Sequence, residues 1–211
     1  PALRLALSAI GSPKEEATAV ILSLGLGLSV LAAVGQIDTN LRASIARDLP
    51  EVAPSYFFVD IQPDQIEGFL ARVKGDPAVS RVDTAPMLRG VLTRINGRDA
   101  REVAGDHWVV RGDRGLTYSA TPPERTRIVA GEWWPEDYAG PPLMSFAREE
   151  AEEMGLKLGD RVTVNVLGRE VTAEVASLRE INWQSLSINS VMVFTPNAFR
   201  GAPFTSLATL A

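Results

Sequence analysis

Residues 17–37 read ATAVILSLGLGLSVLAAVGQI, and this stretch decides the architecture of the chain. No charged residue lies between Glu16 and Asp38, and ten positions of the stretch are Leu, Ile or Val. A helix of ~20 apolar residues can cross a hydrocarbon core roughly 30 Å thick. Each Leu, Ile or Val near its centre contributes roughly −0.3 to −0.6 kcal/mol to insertion. The sequence therefore predicts a transmembrane helix over residues 17–37.

Two other interpretations of this stretch stay open. A buried core helix could be apolar on every face, although it would be long for a domain in a chain of 211 residues. A cleaved signal peptide would have a shorter apolar region and a basic leader, whereas Glu15 and Glu16 stand directly before this one. The length and flanking charges favour the transmembrane helix over both.

The predicted helix begins before the apolar stretch and continues beyond it. Ser12 and Glu15 form a capping box around Pro13, which takes the first helical position. After the apolar stretch, a coupling stalk is predicted from apolar residues at four-residue spacing: Ile37, Leu41, Ile45 and Leu49. One helix over residues 13–49 would be roughly 55 Å long at ~1.5 Å per residue, longer than the membrane is thick.

Three small residues lie at four-residue intervals within the predicted membrane helix: Gly25, Ser29 and Ala33. Small side chains let a second helix approach closely, so this stripe predicts a helix-packing surface. Ordinary glycine and alanine usage in a membrane helix would give the same pattern, and this alternative stays open.

Beyond Pro54 the residue pattern is that of a mixed domain, and the predicted fold class is α+β. Residues 56–61 alternate as a strand, and Pro63 opens a helix. The core-facing stripe of that helix comprises Ile66, Phe69, Leu70 and Val73. Further strands are predicted over residues 79–82, 87–95, 108–110, 127–130, 143–144, 190–195 and 207–210. Asn96–Gly97 supplies a tight turn, and Ser145 is predicted to cap a short helix ending at Gly155.

A β-hairpin is predicted over residues 161–175, with Gly168–Arg169 as a two-residue loop. This register places apolar residues opposite one another in three pairs: Val166 with Val171, Val164 with Ala173, and Val162 with Val175. The other face pairs Asn165 with Thr172 and Thr163 with Glu174. This one register places the apolar residues on one face of the hairpin and the polar residues on the other. The hairpin is therefore the clearest local prediction.

The composition excludes several classes of site. The absence of cysteine rules out disulfides, thiol nucleophiles and thiolate metal sites, and His107 is the only histidine. A net charge of −5 argues against a nucleic-acid partner, which needs a concentrated basic surface. No Gly-x-Ser-x-Gly motif or phosphate-binding glycine loop is present. We therefore predict no catalytic, cofactor-binding or metal-binding residues.

Two clusters could still contribute to binding. Trp133 and Trp134 stand beside Pro135 and could form a ligand platform, although packing between subdomains is the favoured interpretation. Four glutamates crowd one short helix, namely Glu149, Glu150, Glu152 and Glu153. Without a neighbouring histidine or a calcium-loop spacing, they are predicted to form a solvated face.

Several segments together resemble the YbbP-type permeases of the FtsX/MacB-like family of ABC transporter membrane subunits. These segments are LRLALSAI, ILSLGLGLSVLAAVGQIDTNLR, YFFVDIQPDQ, PMLRGVL, RGDRGLTYSATPP, GEWWPEDYAGPPLMSF, GLKLGDRVTVNVLGREVTAEVASLREINW and INSVMVFTPNAF. The resemblance covers nearly the whole chain, although the remaining membrane helices of the family are absent from it. We therefore expect the chain to be a fragment of a longer permease.

The resemblance implies a division of the chain into four parts. Residues 1–12 would be a cytoplasmic amphipathic segment, and residues 13–49 the transmembrane and stalk helix. Residues 50–104 plus 185–211 would form a porter-like α/β subdomain, into which a β-rich Sabre-like subdomain of residues 105–184 is inserted. The chain would lie in the bacterial inner membrane, with residues after about 38 on the periplasmic side.

The resemblance also implies a function and a set of partners. Such permeases transmit the motion of a cytoplasmic ABC ATPase subunit across the membrane. The expected partners are that ATPase, a second permease protomer and a periplasmic esterase or lysophospholipase. The expected substrate is hydrophobic and lipid-related, or a component of the envelope. The alternative is a membrane-tethered periplasmic module that binds peptides or glycans near Trp133 and Trp134 without a motor.

Overall fold

The computed structural model describes residues 15–48, 54–123, 126–183 and 188–211. It divides the chain into two compact units, Pro1–Pro50 and Glu51–Ala211. The predicted capping residues Ser12 and Pro13, the amphipathic segment of residues 1–12 and the stalk residue Leu49 lie outside the described residues.

The first unit contains helix α1 (Glu15–Asp48), which is 34 residues long. It runs without interruption through Ile37 and Asp38, where the apolar stretch ends. No proline or glycine lies between Gly35 and Asp48. Nothing in this part of the sequence therefore breaks the hydrogen bonds from each N–H to the carbonyl four residues earlier. The prediction of a long N-terminal apolar helix ahead of a mixed domain is confirmed.

The second unit contains a sheet of ten strands among its described residues. The strands are β1 (Tyr56–Ile61), β2 (Val82–Ile95), β3 (Arg98–Asp99), β4 (Arg114–Tyr118), β5 (Arg127–Gly131), β6 (Leu143–Ala147), β7 (Arg161–Val166), β8 (Arg169–Glu180), β9 (Met192–Phe194) and β10 (Thr205–Leu210). The helices are α2 (Ile66–Lys74), α3 (Ala100–Ala104) and α4 (Arg148–Met154), with 3₁₀ turns at Trp108–Val110 and Pro196–Phe199. The α+β class is therefore confirmed.

The strands follow the order β1-β10-β2-β4-β9-β6-β8-β5, with β3 beside β2 and β7 bridging β2 to β8. Most neighbours are antiparallel, whereas β4 with β9 and β6 with β8 are parallel pairs. The 14-residue strand β2 pairs with β10 through its first half and with β4 and β7 through its second half. The limits of the porter-like and Sabre-like subdomains stay a prediction.

The core lies on the apolar face of this sheet. Its largest fully buried side chains are Phe146, Phe194, Leu92, Leu116, Met144 and Met192. Gly90 lets β2 approach both β7 and β4, because an added Cβ would lie 2.8 Å from the carbonyl oxygen of Asn165 on β7 and 2.8 Å from Leu116 Cδ1 on β4. Only glycine leaves room for that approach.

The predicted register of the β7–β8 hairpin is wrong by two residues. Val164 pairs with Val171, Val162 with Ala173 and Thr163 with Thr172. The loop is Leu167–Gly168, whose φ angles of 51° and 88° are those of a type I′ turn. The side chain of Asn165 stabilises this turn, since its Oδ1 accepts a hydrogen bond from the Gly168 N–H at 3.0 Å.

Three other local predictions are also corrected. Residues 108–110 form a 3₁₀ turn capped by the side chain of His107, which accepts from the Val109 N–H, instead of a strand. Ser145 is buried within β6, where its hydroxyl bonds that of Ser177 at 2.9 Å, so it does not cap α4. The stripe of Ile66, Phe69, Leu70 and Val73 on α2 is only half-buried.

Candidate functional site

The surface of helix α1 is the first candidate functional feature. Residues Thr18–Ser44 are long and apolar enough to cross a membrane, and none of the hydrophobic window is buried within the structure. Ten large apolar side chains of this stretch are more than half exposed, from Val20 to Ile37. A soluble core helix would bury such side chains, so this interpretation of the apolar stretch has no support in the structure.

The small-residue stripe of Gly25, Ser29 and Ala33 lies open on this helix. No atom lies within 4 Å of the position a Cβ would take on Gly25, and all three residues are exposed. The Ser29 hydroxyl donates to the Gly25 carbonyl oxygen at 2.8 Å. The only polar side-chain group of the stripe is thereby satisfied within the helix, which keeps the surface available to a second helix.

The stalk residues Ile37 and Leu41 are exposed on the same helix, at 65% and 58% of their surface. The residues that directly follow them, Asp38 and Arg42, form an ion pair at 2.9 Å, one helical turn apart. The Thr39 hydroxyl donates to the Gly35 carbonyl oxygen at 2.8 Å. Ile45 lies within the helix, and its side chain is outside the described residues. The coupling role of these residues stays a prediction.

Trp133 and Trp134 lie against the segment that follows β4. Their ring centroids are 4.1 Å apart, and each indole N–H donates to a main-chain carbonyl at 2.9 Å, Trp133 to Ala120 and Trp134 to Ser119. Trp134 is buried and Trp133 is half-buried. Both indole donors are therefore already used within the protein, which makes the pair a better packing element than a ligand platform.

We expect Trp134→Phe to destabilise the protein by about 1–3 kcal/mol, because it leaves the Ser119 carbonyl without its donor while preserving most of the ring packing. Trp183→Phe is the matched control, since Trp183 is 46% exposed and a surface change of this kind costs at most about 0.5 kcal/mol. Thermal unfolding of the full chain in a non-ionic detergent measures both. Equal losses of stability would show that the Trp134 hydrogen bond is dispensable.

The acidic helix α4 differs from its prediction in one residue. Glu149, Glu152 and Glu153 are exposed, whereas Glu150 is buried with only 4% of its surface exposed. Glu150 belongs to the buried face of α4 together with Ala151 and Met154. The four glutamates therefore do not form one solvated face.

The charged side chains around α4 differ in the partners that they contact. Arg148 contacts Glu152 at 3.6 Å and Glu180 at 3.2 Å, and His107 Nε2 lies 2.7 Å from Glu153 Oε2. Burial lowers the pKa of Arg179 to about 10, although the nearby Glu150 carboxylate opposes this shift. Within the described ranges no three His, Asp or Glu residues are placed to hold a metal ion.

Comparison with known proteins points to the membrane subunits of ABC transporters. No protein-family profile matches the chain. The chain is 28% identical over 204 residues to the uncharacterized ABC transporter permease YbbP of Escherichia coli (strain K12). The match covers 95% of this chain and 24% of that permease, so the chain spans about a quarter of its relative. This match confirms the resemblance to YbbP-type permeases.

A solved structure gives a weaker similarity. It is a domain described as part of a permease from Porphyromonas gingivalis, with 13% sequence identity and a TM-score of 0.34. The similarity covers 66% of this chain and 64% of that one.

Proposed function

We propose that this chain is the membrane-anchoring and extracytoplasmic part of an ABC transporter permease, and that α1 transmits ATPase-driven motion across the inner membrane. The supporting observation is the uninterrupted helix of 34 residues. At ~1.5 Å per residue it is roughly 50 Å long, about 20 Å more than the hydrocarbon core. A rigid helix conveys displacement, whereas a flexible linker would absorb it.

The polar groups of α1 suit a helix that lies in lipid and then leaves it. Within the apolar stretch the Ser29 hydroxyl bonds a carbonyl of its own helix, so it needs no partner from the membrane. The first charges after this stretch are Asp38 and Arg42, which pair with each other and are highly exposed. A charged pair is stable in the headgroup region and costly in the hydrocarbon core. We therefore propose that the apolar part of α1 leaves the hydrocarbon core near Asp38. The orientation, with residues after about 38 on the periplasmic side, follows from the resemblance to YbbP-type permeases and not from this charge pair.

The other roles in this proposal follow from the similarity to a permease. A cytoplasmic ATPase subunit would supply the motion, and a second protomer would pack against Gly25, Ser29 and Ala33. The substrate would be hydrophobic and lipid-related or an envelope component, with a periplasmic esterase or lysophospholipase as a further partner. The chain itself would perform no catalysis.

Inserting Gly-Gly-Ser after Ile37 in the full-length permease should abolish the transmission of motion while leaving ATP binding intact. The readout is an ATP-dependent distance change between spin labels on two protomers. The labels are attached at Lys157→Cys, which is exposed, after replacement of any cysteine outside these 211 residues, which contain none. We expect a distance change with the native helix and none after the insertion. An Ala-Leu-Ala insertion at the same place is the matched control, because it has equal length and preserves the helix. An unchanged ATP-dependent distance in the Gly-Gly-Ser variant would refute the coupling role of α1.

The motor-independent binding module has less support. Its predicted groove lies near Trp133 and Trp134, where Trp134 is buried, Trp133 is half-buried and both indole donors bond main-chain carbonyls. Purifying the full-length permease from its native membrane separates the two functions. The proposal requires an ATPase subunit to copurify, and its absence would favour the binding module.

A further inference from the structure

A second candidate site lies in the sheet domain, beside the acidic helix α4. A pocket of about 320 Å³ is lined by two tryptophans and three glutamates: Trp108, Trp183, Glu149, Glu150 and Glu153. We call it the tryptophan–glutamate pocket. Two aromatic rings and three carboxylates are the groups that recognise a positive charge, and no Lys or Arg lines the pocket within the described residues.

The two tryptophans form an open, aromatic part of this pocket. Their ring centroids are 6.3 Å apart with the planes at 75°, and the side chains are 38% and 46% exposed. Trp108 already holds one cation, because the guanidinium of Arg114 lies 5.0 Å from its ring centroid. That guanidinium is fixed by hydrogen bonds to the main-chain carbonyls of Val109, Trp108 and Arg111, so it is held at its own position on Trp108.

Glu150 gives this pocket a buried carboxylate that is incompletely hydrogen-bonded. It is 4% exposed, and among the described residues its Oε2 has no hydrogen-bond partner. The nearby Arg179 does not supply one: its Nη2 donates to the Ser190 carbonyl, and its Nε is also without a partner. A buried carboxylate oxygen without a partner is costly. Because Glu150 lines the pocket, a cation bound there lies close to a carboxylate that is already removed from water, where the attraction between opposite charges is screened little.

The arrangement of the pocket's side chains indicates which kind of cation it can bind. The described carboxylates and His107 are not grouped closely enough to hold a metal ion. A metal ion would require short, direct bonds to several oxygens, whereas an ammonium group needs only proximity to carboxylates and ring faces. We propose that the tryptophan–glutamate pocket binds an organic ammonium group, of the size of a methylated or quaternary amine. This inference does not depend on the transport role proposed for α1.

Choline is a suitable probe, because its quaternary ammonium group can be compared with a neutral isostere, 3,3-dimethylbutan-1-ol. The full chain in a maltoside detergent is titrated with each compound at constant ionic strength, and intrinsic tryptophan fluorescence is recorded. We expect saturable quenching by choline and none by the alcohol. An equal response to both compounds, or no saturable response to choline, would overturn the proposal.

Variants of α4 test whether the carboxylates are responsible, and they retain all four tryptophans. Glu150→Gln and the double variant Glu149→Gln/Glu153→Gln should each weaken choline binding at least about fivefold, because each removes negative charge from the pocket. The double variant alters only exposed residues, so it remains informative if Glu150→Gln fails to fold. Glu152→Gln is the matched control, since Glu152 is on the same helix but contacts Arg148 outside the pocket. If Glu152→Gln weakened choline binding equally, the effect would come from the general surface charge of α4, and the site would be refuted.

The ammonium group could belong to a free compound or to a lipid headgroup, and nanodiscs distinguish the two sources. Choline is titrated into the chain in phosphatidylglycerol nanodiscs and in phosphatidylcholine nanodiscs. Equal binding in both supports a free ligand, whereas loss of the choline response only with phosphatidylcholine supports a headgroup in the pocket. No response in phosphatidylglycerol nanodiscs would contradict the proposal.

Discussion

Gly131→Ala is expected to destabilise the sheet domain by about 3 kcal/mol or more, because backbone strain and steric overlap coincide at this residue. Gly131 ends strand β5 with φ at +71°, and a Cβ there would lie 2.1 Å from the carbonyl oxygen of Ala176. Removing that overlap would require movement of β5 against β8, where Gly131 pairs with Ser177. The midpoint of thermal unfolding of the full chain in detergent measures the effect.

Gly159→Ala is the matched control for this substitution. Gly159 has a similar φ of +84°, but no atom lies within 4 Å of its Cβ position. Only the conformational cost of about 1–2 kcal/mol should remain. A Gly131→Ala variant as stable as Gly159→Ala would mean that the β5–β8 contact is looser than the structure shows.

The hairpin shows which part of a sheet can be predicted from sequence. Alternating residues identified the buried face of β7 and β8 correctly, and that face contains Val162, Val164, Val171 and Ala173. A shift of two residues leaves every side chain on the same face, so alternation cannot distinguish the two registers. The turn type separates them: Leu167–Gly168 forms a type I′ turn with glycine second, whereas Gly168–Arg169 would be a type II′ turn with glycine first, and both are favoured in hairpins. The Asn96–Gly97 turn was located correctly, because Asn-Gly favours type I′ alone.

The candidate sites were predictable to different degrees. The apolar helix lies within one continuous segment, so the composition of that segment is sufficient to predict it. The tryptophan–glutamate pocket combines Trp108, helix α4 and Trp183, which are distant in sequence and meet only in the folded sheet domain. One local signal could have revealed the burial of Glu150. Ala147, Glu150, Ala151 and Met154 have the spacing of a single buried helix face.

Phe194→Ala should cause the other large loss of stability, about 3–5 kcal/mol, because it leaves a cavity that the surrounding sheet cannot fill. Phe194 is fully buried in β9, between β4 and β6, and its ring packs against Phe199 with centroids 4.8 Å apart. For a domain of this size the melting temperature should fall by roughly 10 °C. Phe57→Ala is the control, since Phe57 is 51% exposed on β1 and its loss should cost well under half as much. Similar melting temperatures for the two variants would contradict a core centred on β9, because only the loss of fully enclosed contacts can produce the larger effect.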